Sequence, residues 1–238
     1  MKSIENQTKQ VAFFIGILGL ACIVMSQLSG CGSGPQGVQG PPGNTTTVAT
    51  TASDAIQTVV NQYNEGLQAQ GNDPIQPGLR CTLYTVPNMP ANPCLLSTSI
   101  AGCGVVSSSV GYATVGSFTY TGAFNQTTET GAGFQVLPTA LQGLYQNNFA
   151  VTCTGYFVGV DYNWHGFDVQ SDDGALVYIG GALVLNGDGE HAVQDFKGEK
   201  YLQAQVYSFQ LNYFQGPGAA ALVLDIDGQV MPANQFYH

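Results

Sequence analysis

Apolar and polar residues alternate with a period of two along the second half of the chain. Tyr207, Phe209, Leu211 and Tyr213 are separated by Ser208, Gln210 and Asn212, the pattern of a strand with one buried face. Leu176-Val177-Tyr178-Ile179 and Ala182-Leu183-Val184-Leu185 flank Gly180-Gly181. A two-residue turn needs the positive φ that glycine adopts at little cost, so this segment predicts a β-hairpin. Asn186-Gly187-Asp188-Gly189 marks the next turn, and Ala221-Leu222-Val223-Leu224 supplies another strand. Antiparallel strands joined by short turns predict an all-β domain, a sandwich or a barrel. Two earlier segments follow other patterns. Ile56, Val59, Val60, Tyr63 and Leu67 recur at helical spacing, with Ser53 suited to the N-cap and Gly71 to the stop, which predicts a short amphipathic helix over 53–71. Val11 to Met25 is an unbroken run of low polarity.

Composition narrows the class. The 238 residues include 31 Gly, 12 Tyr and 12 Phe, a mixture that favours short strands and tight turns over a helical bundle. Only 8% are charged, against about 25% in an ordinary soluble domain, which excludes a charge-rich disordered chain. Five basic and fifteen acidic residues give a net charge of -10. No Lys/Arg cluster exists that could neutralise phosphates, so nucleic acid is excluded as a partner.

The apolar run covers 15 residues, whereas a membrane-spanning helix needs about 20. Lys2 and Lys9 precede it and small residues follow, so residues 1–30 read as a secretory signal. Leu28-Ser29-Gly30-Cys31 resembles the lipobox of bacterial lipoproteins, which implies that Cys31 becomes the lipidated first residue of the exported protein. Acyl chains contribute about 0.8 kcal/mol per buried methylene, so two or three of them hold a protein on a membrane without a spanning helix. Gly32 stands where an Asp often signals inner-membrane retention in that family, so the resemblance implies the outer membrane or cell surface.

From Gly34 the chain reads Gly34-Pro35-Gln36, Gly37-Val38-Gln39, Gly40-Pro41-Pro42, Gly43, a collagen-like period. Barely three triplets are too few to hold a triple helix alone, so residues 31–52 are expected to form a stiff polyproline-II tether. A homotrimer through the tether is the alternative. The helix that follows has a stripe able either to zip against two copies of itself or to pack on the globular domain.

Cys81, Cys94, Cys103 and Cys153 remain beyond Cys31 and the removed Cys22. An even number in an exported chain predicts two disulfides, with three connectivities open. No C-x-x-C pair or His at ligand spacing supports zinc.

Three motifs in order then carry a specific resemblance. They are Thr154-Gly155-Tyr156-Phe157, the run Phe167-Asp168-Val169-Gln170-Ser171-Asp172-Asp173-Gly174-Ala175, and Asn212-Tyr213-Phe214-Gln215-Gly216-Pro217-Gly218. Together they resemble the protective-antigen-type domain, often called PA-fourteen, of bacterial toxins, glycosidases, adhesins and yeast flocculins. The resemblance covers residues 79–236, from Leu79 to Phe236. It implies an antiparallel β-sandwich or barrel and, in many members, carbohydrate binding. Flocculin-like members hold calcium with two adjacent Asp residues joined by a cis peptide, and the ion grips sugar hydroxyls; Asp172 and Asp173 occupy that place. Calcium prefers such hard oxygens. Where those members offer an Asn, this chain has Gln215, so the implied metal set is Asp172, Asp173 and Gln215. The implied carbohydrate contacts are Asp172, Asp173, Gly216 and Gly218, with main-chain carbonyls of that loop also available. The competing reading is a plain Asp-Asp-Gly turn without an ion.

Other candidates have plainer readings. His165 shares a strand face with Phe167 and Val169 and is expected to be buried and hydrogen-bonded. Trp164, the only Trp, is read as a core filler ahead of a sugar-stacking platform. Asp225 and Asp227 are expected on one strand face, a spacing compatible with a glycosidase pair but without a cleft signal. Asp188 and Glu190 add charge near a turn but do not form a calcium loop. His191 and His238 lack a Ser or Cys nucleophile motif. The expected function is therefore that of a non-enzymatic, lipid-anchored envelope protein binding carbohydrate with calcium. The alternatives are an assembly module that binds an envelope protein or its own copies, and a polysaccharide hydrolase.

Overall fold

The computed structural model describes residues 51–86, 113–129 and 134–238. The signal sequence, Cys31, the tether up to residue 50, Cys94 and Cys103 lie outside the described residues. Among the described residues no helix is long and apolar enough to cross a membrane.

The predicted helix is present as α1 (Ala52–Ala69). Its N-cap is Thr51 rather than Ser53, because Asp54 lies three residues on and completes a capping box. The Thr51 hydroxyl accepts the Asp54 amide at 3.2 Å, and the Asp54 carboxylate accepts the Thr51 amide at 3.0 Å. Gly71, at φ 77, lies just past its end. The stripe packs on the body of the domain: Ile56, Val59 and Val60 are buried with Ile75, Val158 and Tyr237. Packing on the domain thus accounts for its amphipathicity.

Among the described residues twelve strands follow. β1 (Leu79–Thr85), β2 (Ala113–Tyr120) and β3 (Asn125–Glu129) precede a short helix, α2 (Thr139–Gln142). Next come β4 (Phe149–Val158), β5 (Asn163–Asp172), β6 (Ala175–Ile179), β7 (Ala182–Gly187) and β8 (Gln194–Leu202). β9 (Val206–Gln215), β10 (Ala220–Ile226), β11 (Gln229–Val230) and β12 (Phe236–Tyr237) complete the set. One sheet runs β2-β1-β4-β9-β6-β7, with β12 also on β4; the other runs β11-β10-β5-β8, with β3 also on β10. Every ladder is antiparallel.

The period-two pattern decides which face is buried. Phe209, Leu211 and Tyr213 of β9 enter the core, as do Val177 and Ile179 of β6 and Phe167 and Val169 of β5. Each fully buried side chain of this kind contributes about 1.5–3 kcal/mol. The Gly180-Gly181 turn has φ 61 and 77, as the β6–β7 hairpin requires. The sheets form a sandwich rather than a closed barrel. At one edge β7 passes over β8 without a ladder. A Cβ on Gly198 would lie 2.1 Å from the Val184 carbonyl oxygen, so glycine is what permits that approach.

Cys81 and Cys153 are register partners on β1 and β4 and are joined by a disulfide within the core.

Candidate functional site

β5 ends at Asp172, and the Asp172-Asp173 peptide bond is cis. Two loops meet there. One is the turn between β7 and β8. A Cβ on Gly174 would sit 3.1 Å from the main chain of Gly189, so this glycine lets the turn come close. The turn delivers the amide of His191, which donates to Asp173 Oδ1 at 3.0 Å. The other is the loop after β9, whose Gly216 amide donates to Asp173 Oδ2 at 2.7 Å. Asp173 is only 3% exposed. Its carboxylate is thus the tie between segments remote in sequence.

Gln215 and Tyr213 support this arrangement from below. Gln215 is buried, and its amide donates to the carbonyl oxygens of Ala219 at 2.8 Å and Gly216 at 3.2 Å. The Tyr213 hydroxyl shares its single proton between the Gln215 side-chain oxygen and the Asp172 carbonyl oxygen. Tyr213 itself stacks on Phe134 with ring centroids 4.5 Å apart. The Gln215 side chain is therefore engaged at both ends and holds the shape of the loop. Gly218 adopts φ 130, and its amide donates to Asn147 Oδ1 at 3.2 Å.

Electrostatically the rim is a concentration of negative charge. Burial pushes the Asp172 carboxyl up, and the neighbouring Asp173 adds to this; His191 and the Val193 amide partly offset it. Burial also pushes Asp173 up, against the lowering effect of the Gly216 and His191 amides, and Glu190 raises it further. Among the described residues neither acid has an ion-pair partner. The donor set is all oxygen and hard, which fits calcium rather than a transition metal. No group of three His, Cys, Asp or Glu side chains suited to a metal exists among the described residues. Two carboxylates, main-chain carbonyls, water and ligand hydroxyls would then make up a calcium shell, with Asp172 and Asp173 as the anionic ligands.

The structure separates the other acidic pair. Asp227 was expected on one strand face with Asp225, but β10 ends at Ile226 and Asp227 turns away at φ 52 into an Asp-Gly turn. Its Oδ2 lies 2.7 Å from His165 Nδ1, and its Oδ1 accepts the Gly166 amide at 2.9 Å. His165 Nε2 lies 2.8 Å from Asp161 Oδ1, so the buried, hydrogen-bonded histidine has two carboxylate partners. Asp225 instead faces Asp168 across the β10–β5 ladder. Trp164 is also placed differently from the core expectation. It is 64% exposed, because its strand position puts it on the face opposite His165, Phe167 and Val169. Sequence reasoning missed the roles of Tyr213, Asn147 and the His191 amide, since each depends on a contact that only the fold creates.

The family model described as the PA14 domain matches residues 118–231. β1 and β12 lie outside that span, yet both pair with β4. No curated protein matches the chain. Among solved structures, an anti-sigma factor domain-containing protein from Clostridium clariflavum is 17% identical, covering 68% of this chain and 47% of its own, with TM-score 0.47. This chain therefore spans about half the length of that protein. The PA14 domain of the antifreeze protein MpAFP is 14% identical, covering 69% of this chain and 92% of its own, with TM-score 0.50. The Epithelial Adhesin 6 A domain from Candida glabrata, solved with Galb1-3GlcNAc, is 18% identical, covering 68% and 87%, with TM-score 0.47.

Proposed function

We propose, taking the PA14 match over residues 118–231 as the premise, that this domain binds carbohydrate at the rim formed by Asp172, Asp173 and Gly216–Gly218. In this reading calcium assists the binding. The chain presents the site at the cell surface through a lipidated Cys31 and the tether of residues 31–52, as a binding module rather than an enzyme. The carrying observation is the Asp173 carboxylate, buried with no salt bridge among the described residues, gripped by amides from two loops and favoured by charge only from the nearby His191. A buried carboxylate is costly, and the two amide hydrogen bonds and His191 offset only part of that cost, since its pKa stays raised. A divalent cation beside it would offset the remainder.

Calcium, when bound, supplies a hard positive centre whose flexible shell accepts sugar hydroxyls. The rest falls to the protein. Asp173 ties the two loops together, Asp172 adds the second carboxylate, and Tyr213 and Gln215 fix the main chain behind them. Beyond the buried Gly216, Pro217 and Gly218 are exposed at the rim.

A glycan array probed with the full chain in calcium and in chelator tests this reading. A defined subset of glycans is expected to be retained in calcium and lost both in chelator and in Asp172→Ala, whatever is retained independently of calcium. An array empty in calcium would remove the carbohydrate reading and leave a tethered scaffold that binds protein.

A further inference from the structure

We infer that the outer face of the second sheet, at the end of β5 remote from Asp172, carries a second and metal-independent site for a neutral glycan chain, built on Trp164 and Tyr201. The two rings are register partners on β5 and β8, with centroids 5.9 Å apart and planes at 67°. Trp164 is 64% exposed and Tyr201 43%. Tyr162, just before the strand, is also 64% exposed. Eight residues at about 3.3 Å each separate Trp164 from Asp172, so the two sites lie about 26 Å apart.

An indole or phenol presents a wide apolar face with a polar tip, the combination that matches a pyranose ring, whose C–H groups cover one face and whose hydroxyls ring the edge. The T-shaped pair holds one ring against the other and leaves indole surface to solvent. The next outward position along β5 is Gly166, where a Cβ would meet nothing nearer than Asp227 Oδ1 at 3.9 Å. The sheet is thus bare beside the rings. Around that floor stand Glu199, the register partner of Gly166, the Asp227 carboxylate, and the Asp168–Lys197 pair at 3.4 Å. Asp227 is already held by His165 and the Gly166 amide, so one hydroxyl acceptor is fixed before any ligand arrives.

Charge selects the occupant. Asp168, Asp225 and Glu199 share the outward positions of this sheet with Trp164, Tyr201 and Lys197, and the Asp227 carboxylate reaches Gly166 beside them. A uronate chain or an anionic bilayer would meet like charge, and a second copy of this face would bring the same acids with it. A neutral hexose chain brings hydroxyl donors to those carboxylates and C–H faces to the rings.

Trp164 is the single Trp of the chain, so intrinsic fluorescence reads this site directly. The full chain is titrated in chelator with soluble cello-, manno- and galacto-oligosaccharides, and with oligogalacturonate as the anionic control. A saturable change in Trp emission with at least one neutral chain is expected. It should be at least tenfold weaker in Tyr201→Ala and absent with oligogalacturonate. The proposal is overturned by either of two results: no saturable change with any neutral chain, or an equal response to oligogalacturonate. Emission that instead changes on dilution of the protein alone would assign the face to self-association and overturn it as well. Because chelator is present throughout, failure here is distinct from failure of the calcium site.

Discussion

Gly216 donates its amide proton to Asp173 over 2.7 Å, joining the loop after β9 to the end of β5. With the His191 amide on the other oxygen, one buried carboxylate sets the relative positions of two loops. Asp173→Ala leaves both amides without their acceptor, and an unsatisfied buried polar group costs about 1–3 kcal/mol. We expect Asp173→Ala to lower the urea midpoint accordingly at unchanged slope, and Asp172→Ala, whose side chain is more exposed, to lower it less. Equal losses in the two variants would contradict this placement of the carboxylates.

Tyr213→Phe isolates the support behind the site. The substitution keeps the ring stacked on Phe134 but removes the proton shared by the Asp172 carbonyl and the Gln215 side chain. Two buried acceptors lose their donor, so a loss of about 1–3 kcal/mol is expected. Hydrogen exchange of the Gly216 and Gly218 amides should quicken more than exchange in β1, which the substitution does not touch. Uniform quickening across the domain would mean that the hydroxyl acts on global stability alone.

His165 makes stability depend on pH at the opposite end of the domain. Burial pulls its pKa down, but the hydrogen bonds to Asp227 and Asp161 and their charges outweigh this, so it stands above its ordinary 6.5. A group raised on folding stabilises fully below its unfolded value and loses that contribution as pH rises through the folded one. Asp227 is lowered from 3.8, chiefly by the His165 hydrogen bond, so its contribution is present above 3.8 and fades as pH falls through its lower folded value. The clamp therefore acts most fully between about pH 4 and 6.5. Melting temperatures of His165→Gln and the parent chain should differ most in that window and converge towards alkaline pH; a constant difference across pH would refute the clamp.

The disulfide offers a prediction of another kind. Cys81 and Cys153 are 72 residues apart, and a cross-link closing so long a loop contributes about 2–4 kcal/mol. The double Cys→Ala variant should unfold at correspondingly lower urea. Both cysteines are fully buried, so mild reductant should leave the folded protein oxidised and act only once denaturant opens the sheet.

Where periodicity and turn chemistry acted together, the sequence was a sufficient guide. The Gly180-Gly181 hairpin, the buried face of β9 and the helical stripe of Ile56, Val59 and Val60 all follow from local rules that the packing then obeys. Trp164 shows what happens when a residue's usual habit is set above its position: alternation with His165 and Phe167 already placed it on the outer face. Asp227 shows the reverse, since its Asp-Gly dipeptide was a turn signal inside an apparent strand. The adjacency of Asp172 and Asp173 is visible in the chain. The amides that grip Asp173 are not, because they come from loops 18 and 43 residues away and meet only when the sheets are assembled.

The proposed function depends on the two acids at the end of β5 accepting a calcium ion. Thermal melting of the full chain in calcium and in chelator tests this directly, since a ligand bound only by the folded state raises stability by about 2.7 kcal/mol at a hundredfold excess over its dissociation constant. A melting temperature several degrees higher in calcium, with the difference abolished in Asp172→Ala, is the predicted result. Superimposable curves for the parent chain, with magnesium and calcium alike without effect, would contradict it.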